Sequence, residues 1–140
     1  MSKVAVVFWS GTGNTQMMAD AVEAGAKDKG AEVVKMGPGE FSADKVAAYD
    51  AIAFGSPAMG AEVLEEASME PFVTALEGKV SGKKIALFGS YDWGDGQWMR
   101  DWEARCKEAG ANLVMPGVIA HLKPDEDAIS ECSALGAALA

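Results

Sequence analysis

Cysteine and histidine are scarce in this sequence. The 140 residues include two cysteines, Cys106 and Cys132, and one histidine, His121. The cysteines show neither a CxxC pair nor another metal-ligand spacing, which favours a reducing compartment and buried, inert thiols over a disulfide framework. Because no triad or metal partner accompanies His121, we interpret it as a structural or solvent-facing side chain. The sequence therefore predicts no metal site and no catalytic residue.

Basic residues and long apolar runs are also few. Twelve Lys and Arg against 21 Asp and Glu give a net charge of −9, which argues against a nucleic-acid-binding protein. The acidity favours binding to the basic surfaces of partner proteins, although a need for solubility alone also explains it. The N-terminal apolar stretch, residues 4–9, is too short for a signal-peptide core or a membrane span. We therefore expect a cytoplasmic protein that binds neither nucleic acid nor membrane.

Short apolar segments alternate with stretches of helical periodicity. Strands are predicted at 3–9, 31–36, 51–55, 83–90 and, interrupted near Pro116, at 111–115 with 117–122. Helices are predicted at 14–28, within 68–77, at 97–109 and at 126–139, with a short, weak one near 42–48. Continuously apolar strands that alternate with helices indicate a parallel sheet covered on both faces. We expect one α/β domain over residues 1–140.

In such a sheet, ligands bind beyond the carboxyl ends of the strands. The segments after the first, third and fourth strands are SGTGNT (10–15), SPAMGAE (56–62) and SYDWGDG (90–96). The first segment has no lysine for a triphosphate loop and no nucleophilic cysteine for a phosphatase loop. Gln16, the next residue, stands where a dinucleotide-binding loop needs glycine. The hydroxyls, amide and backbone N–H groups of the first segment suit one phosphate group held without positive charge. The simpler alternative is a plain turn with Asn14 or Thr15 near the helix cap.

The other two segments offer flat or polarisable apolar side chains. Trp93 presents a face suited to stacking on a polycyclic ring, and Met59 could cover the opposite face. For either residue alone, packing is the better explanation. Together with a neutral phosphate loop at three converging strand ends, they predict a site for FMN.

Three segments carry a resemblance to a known family. SGTGNT, SPAMGAEVLEE with the following EPF, and GKKIALFGSYDWGDGQWMRDWE resemble the short-chain flavodoxins of the clostridial and Megasphaera type. The resemblance implies a three-layer sandwich with a five-stranded parallel sheet in the order 2-1-3-4-5. It also implies a monomeric, low-potential one-electron carrier that shuttles non-covalently bound FMN between semiquinone and hydroquinone. Such a carrier is not an enzyme and meets reductases and oxidoreductases transiently.

The resemblance also implies roles for individual residues. Met59 would cover the inner flavin face and Trp93 the outer one, while Glu62 would accept a hydrogen bond from the flavin N3–H. The peptide between Gly60 and Ala61 would respond to reduction. The full set of expected cofactor-binding residues is Ser10, Gly11, Thr12, Gly13, Asn14, Thr15, Ser56, Pro57, Ala58, Met59, Gly60, Ala61, Glu62, Ser90, Tyr91, Asp92, Trp93 and Gly94.

Three positions depart from the family pattern. Asp92 replaces a usual glycine, Ser56 stands where cysteine is common, and Ala61 replaces a more polar residue. The main rival function is an FMN-dependent NAD(P)H reductase on the same fold, which Trp93 over the outer flavin face would obstruct. A response-regulator receiver would need acidic residues after the first and third strands, where the sequence has Ser10 and Ser56.

Overall fold

A computed structural model of the chain describes residues 2–9, 13–57, 73, 74, 76, 78–91 and 96–140. The strands are β1 (Lys3–Phe8), β2 (Glu32–Met36), β3 (Ala51–Gly55), β4 (Lys84–Tyr91), β5 (Asn112–Leu113) and β6 (Val118–His121). The α-helices are α1 (Asn14–Asp28), α2 (Gln97–Glu108) and α3 (Glu126–Leu139), with 3-10 turns at Pro38–Glu40 and Ala43–Ala48. In the predicted helix within 68–77, Val73, Thr74 and Leu76 are helical, and the other residues lie outside the described part.

The strands form one parallel sheet in the order β2-β1-β3-β4-β5, and β6 also pairs with β4. The predicted order is confirmed, but the predicted fifth strand is split into two short segments along β4. β5 pairs near Lys84, whereas β6 pairs with Phe88 to Tyr91. Pro116 has no N–H for the sheet, and the N–H of Gly117 donates instead to the Glu103 carboxylate at 2.8 Å. The chain therefore leaves β4 between the two segments.

Apolar side chains cover both faces of the sheet. On one face, alternate strand residues such as Val6 and Ala53 pack with Met18 and Val22 of α1 and Leu135 of α3. On the other face, Ile52, Phe54 and Leu87 pack with the α2 residues Trp98 and Trp102. This arrangement confirms the predicted helices on both faces and explains why the central strands lack polar alternation.

Neither Cys106 nor Cys132 forms a disulfide, and both are buried, as predicted. Burial, with a smaller contribution from the neighbouring Glu131 carboxylate, raises the pKa of the Cys132 thiol from an ordinary 9.0 to about 12. The burial of this thiol is as predicted, and the raised pKa favours its protonated, less nucleophilic form.

The raised pKa of Cys132 predicts an alkaline loss of stability. The neutral thiol of the folded state is favoured, so its contribution is complete below pH 9.0 and decreases as pH rises toward the folded pKa of about 12. Between those values the loss is on the order of 1 kcal/mol per pH unit. Urea unfolding at pH 8 and pH 10, compared with Cys132→Ala, isolates this contribution from other titrating groups. An equal loss in both proteins between those pH values would contradict it.

Candidate functional site

The described part of the site lies at the carboxyl ends of β1, β3 and β4. Parallel pairing aligns Phe8 with Gly55 and Gly55 with Phe88, so the segments that follow these strands emerge side by side. The described predicted residues are Gly13, Asn14, Thr15, Ser56, Pro57, Ser90 and Tyr91. Ser10, Gly11, Thr12, Ala58, Met59, Gly60, Ala61, Glu62, Asp92, Trp93 and Gly94 lie outside the described residues.

Two predicted site residues from distant segments meet directly. The hydroxyl oxygens of Thr15 and Ser90 are 3.0 Å apart, and both residues are buried, with exposed fractions of 1% and 4%. A hydrogen bond between two hydroxyls uses one of their two hydrogens, so the pair can still donate to an acceptor. The pair joins the start of α1 to the end of β4 and places neutral donors between them.

The N-terminus of α1 begins at a glycine. Gly13 is the N-cap, with φ of 94°, and the first turn contains no acidic residue. Asn14 and Thr15 are the first two helical residues, so neither occupies the cap position itself. Gly96, the N-cap of α2, is likewise left-handed and precedes a first turn without acidic residues. The helices that follow β1 and β4 thus carry no first-turn carboxylate to repel an anion.

The contrast with α3 shows that glycine caps are not general in this chain. The carboxylate of Asp125 accepts a hydrogen bond from the Ala128 N–H at 2.8 Å, and Glu126 and Asp127 occupy the first turn. That helix terminus is therefore satisfied by its own carboxylates. The neutral terminus of α1 fits a phosphate group, because helical N–H groups and hydroxyls bind anions without a positively charged side chain.

The segment after β3 is anchored to β4 and α2. The Ser56 N–H donates to the Phe88 carbonyl at 3.2 Å, and the Trp98 indole Nε1–H donates to the Ser56 carbonyl at 3.3 Å. A Cβ on Gly89 would lie 2.0 Å from that same carbonyl oxygen. The absence of a side chain at Gly89 therefore allows β3 and β4 to approach closely where the second predicted loop begins.

The roles of Trp98 and Gly89 were not predicted from the sequence. Trp98 is buried, with an exposed fraction of 1%, and its hydrogen bond to the Ser56 carbonyl was not predicted. A buried indole N–H requires an acceptor, and this requirement was the available signal.

His121 is exposed, and its ring lies 5.1 Å from the ring of Tyr91, which agrees with a solvent-facing structural side chain.

Comparison with known proteins identifies the family. The family model for flavodoxin matches residues 6–136. The chain belongs to the flavodoxin family. It is 44% identical over 137 residues to the flavodoxin of Megasphaera elsdenii, covering 98% of both chains. It is 43% identical over 135 residues to that of Clostridium beijerinckii, covering 96% of this chain and 97% of the relative.

Solved flavodoxin structures agree with this assignment. The solution structure of two-electron reduced Megasphaera elsdenii flavodoxin matches with a TM-score of 0.87 and 45% identity, covering 97% of both chains. A flavodoxin from the domain Archaea matches with a TM-score of 0.86 and 29% identity, covering 98% of this chain and 95% of the other.

Flavodoxins use FMN as their cofactor and carry electrons at low potential without turning over a substrate. The comparisons give no support to the alternative of an NAD(P)H reductase.

Proposed function

We propose that this flavodoxin holds FMN at the carboxyl ends of β1, β3 and β4 and passes one electron at a time between redox enzymes. The observation that carries the proposal is the buried hydroxyl pair of Thr15 and Ser90 beside the glycine-capped start of α1. FMN supplies the redox chemistry when it is bound, and the protein supplies binding, orientation and electrostatic environment.

The phosphate would be held by residues 10–15. Thr15, the N–H groups at the start of α1 and the other hydroxyls of SGTGNT donate to it, while no Lys or Arg in this segment neutralises it. Because the donors are neutral, the negative charge of the phosphate is retained. The surrounding field then disfavours further negative charge on the cofactor, which is consistent with a low potential.

The ring system would be held by residues 56–62 and 90–94. We assign Met59 and Trp93 to its two faces, Glu62 to the N3–H, and Ser90 with residues 91–94 to the ribityl chain and pyrimidine edge. The Gly60 carbonyl would accept a hydrogen bond from N5 when that atom carries a proton. The structure describes four residues of these two segments: Ser56, Pro57, Ser90 and Tyr91. They lie at the ends of β3 and β4, where hydrogen bonds hold Ser56 to Phe88 and Ser90 to Thr15.

The partners we propose are basic surfaces of reductases and oxidoreductases, met transiently by a monomer in the cytoplasm. The net charge of −9 supports this choice of partner, since opposite charge speeds encounter without requiring a long-lived complex. Among the described residues, none of the helices is both long and apolar enough to cross a membrane. A reductive titration followed by absorbance, resolving two separate one-electron steps, tests the carrier function.

The phosphate assignment is tested by comparing FMN with riboflavin, which lacks the phosphate. Thr15→Val keeps the shape of the side chain and removes its hydroxyl. We expect the apoprotein variant to bind FMN roughly tenfold more weakly, as for a lost hydrogen bond to a charged group, and riboflavin as tightly as before. Fluorescence titration of the apoprotein measures both affinities.

Thr74→Val provides the matched control for this experiment. Thr74 is exposed, and its hydroxyl lies 3.4 Å from Nη2 of Arg105 on α2, away from the predicted phosphate loop. This variant should bind both flavins normally. If Thr15→Val weakens FMN and riboflavin equally, Thr15 acts through the fold and not through the phosphate.

A further inference from the structure

Leu122, directly after β6, combines exposure with an unusual backbone conformation. Its exposed fraction is 46%, and no other large hydrophobic residue is so exposed in the described ranges 2–9, 13–57, 73–74, 76, 78–91 and 96–140. Its φ is 59°, and within those ranges no other non-glycine residue has a positive φ. A leucine at positive φ is disfavoured by contact between its Cβ and the backbone. Such a conformation persists only where surrounding contacts impose it.

The contacts that impose this conformation lead to the candidate cofactor site. The Leu122 N–H donates to the Tyr91 carbonyl at 2.7 Å. The Tyr91 ring lies 5.1 Å from the ring of His121 and 5.6 Å from that of Trp98. Tyr91 directly follows Ser90, whose hydroxyl meets that of Thr15. Leu122 is therefore half-exposed beside the end of β4, where part of the candidate site lies. Its backbone is fixed by the bond to Tyr91.

Carboxylates lie near Leu122, because its chain neighbours His121 and Lys123 line the same hollow as they do. A surface hollow of about 250 Å³ beside the end of β6 is lined by Asp125, Asp127 and Glu131 of the α3 region, together with Lys123 and His121. The three carboxylates outnumber the one lysine, so the hollow has the same sign as the whole chain. An apolar centre with a charged rim is the usual composition of a transient protein interface.

We propose that Tyr91, His121 and Leu122, with the carboxylates of Asp127 and Glu131, form a docking surface for a basic electron-transfer protein. This inference rests on the proposed carrier function and specifies where the partner binds. The partner that fits has an apolar contact point ringed by lysine or arginine. One electron leaves the reduced cofactor and reduces the partner's centre, so no atom is transferred and no further reactant is needed.

The apolar contact is tested with a basic c-type cytochrome as the probe, by stopped-flow measurement of its reduction. Leu122→Asn removes the apolar side chain, and asparagine tolerates the left-handed conformation better than leucine, so the fold should be retained. We expect the second-order rate constant to fall about fivefold, since a half-exposed leucine gains part of the transfer free energy of full burial. Leu122→Met keeps an apolar side chain and should restore most of the rate.

A small uncharged quinone serves as the reference oxidant. Reduction of this quinone should proceed equally fast in the wild type and in Leu122→Asn, because the quinone needs no protein interface. An equal loss of rate with quinone and cytochrome would show that Leu122 acts through the cofactor and would overturn the proposal. An unchanged rate with the cytochrome would overturn it as well.

The charged rim is tested by Asp127→Asn with Glu131→Gln. The matched control is Asp28→Asn with Glu32→Gln, which makes the same change in charge at exposed positions by the amino ends of the strands. The rim variant should slow cytochrome reduction at low ionic strength, with the difference shrinking as salt is added. Equal slowing by both variants would assign the effect to net charge and refute a local rim.

Binding itself is followed by titrating the ¹⁵N-labelled protein with redox-inert, zinc-substituted cytochrome. Amide shifts should concentrate at Tyr91, His121 and Leu122, and Leu122→Asn should weaken them. Shifts confined to another face would overturn the docking surface while leaving the carrier function intact. Failure of the carrier function is a separate result, namely an apoprotein that does not bind FMN.

Discussion

Gly136→Ala is expected to lower the free energy of unfolding by about 3 kcal/mol, as for a side chain forced into a packed interior. Helices α1 and α3 pack closely at Gly25 and Gly136. A Cβ on Gly136 would lie 2.0 Å from the Val22 carbonyl oxygen and 2.9 Å from the Ala26 nitrogen. These are backbone atoms, so they cannot rotate away, and the two helices must separate. The clash also outweighs the roughly 1 kcal/mol by which alanine is normally favoured over glycine in a helix.

Gly39→Ala is the control for this change. A Cβ on Gly39 meets nothing within 4 Å, so this variant should remain within about 0.5 kcal/mol of the wild type in urea unfolding. Because α1 also presents its N-terminus to the proposed phosphate, we expect Gly136→Ala to weaken FMN binding as well. Equal stability of the two variants would mean that the helices can separate at little cost.

The fold was predictable because its strands are almost wholly apolar. All five residues of β3 are buried, and such runs separated by helical periodicity leave a covered parallel sheet as the simplest arrangement. The close packing of α1 and α3 was not predictable, since Gly25 and Gly136 resemble ordinary helix-weakening residues in the sequence. Only the three-dimensional arrangement shows that each faces the backbone of the opposite helix.

The site was predictable in part. Because the carboxyl ends of parallel strands share one edge of a sheet, the sequence identified the segments after β1, β3 and β4. It did not reveal which side chains meet, because contacts such as that between Thr15 and Ser90 join residues 75 positions apart. The bond from Trp98 to the Ser56 carbonyl spans 42 positions, and helical periodicity does not specify such a partner.

Trp98→Phe is expected to destabilise the protein by about 2 to 3 kcal/mol and to weaken FMN binding. The change removes buried volume, and it removes the Nε1–H that donates to the Ser56 carbonyl at 3.3 Å. Since Ser56 is fully buried, the carbonyl loses this donor without gaining water, which accounts for about 1 kcal/mol of the total. Ser56 would keep its bond to the Phe88 carbonyl but lose the one to α2. Because it begins the segment that we assign to the flavin ring, FMN affinity should fall roughly fivefold. Urea unfolding and fluorescence titration of the apoprotein measure the two effects.

Trp102→Phe separates the hydrogen bond from the loss of volume. Trp102 lies one turn further along α2 and is equally buried, with an exposed fraction of 1%. It lines a small cavity together with Phe54, Val73 and Cys106. Its replacement should destabilise the protein through lost packing and leave both FMN affinity and the midpoint potentials unchanged. In Trp98→Phe the affinity and at least one potential should shift, because the segment after β3 loses its anchor to α2. If the two variants bind FMN equally well, the Ser56 carbonyl does not need the indole to hold its position, and Trp98 stabilises the protein through packing alone.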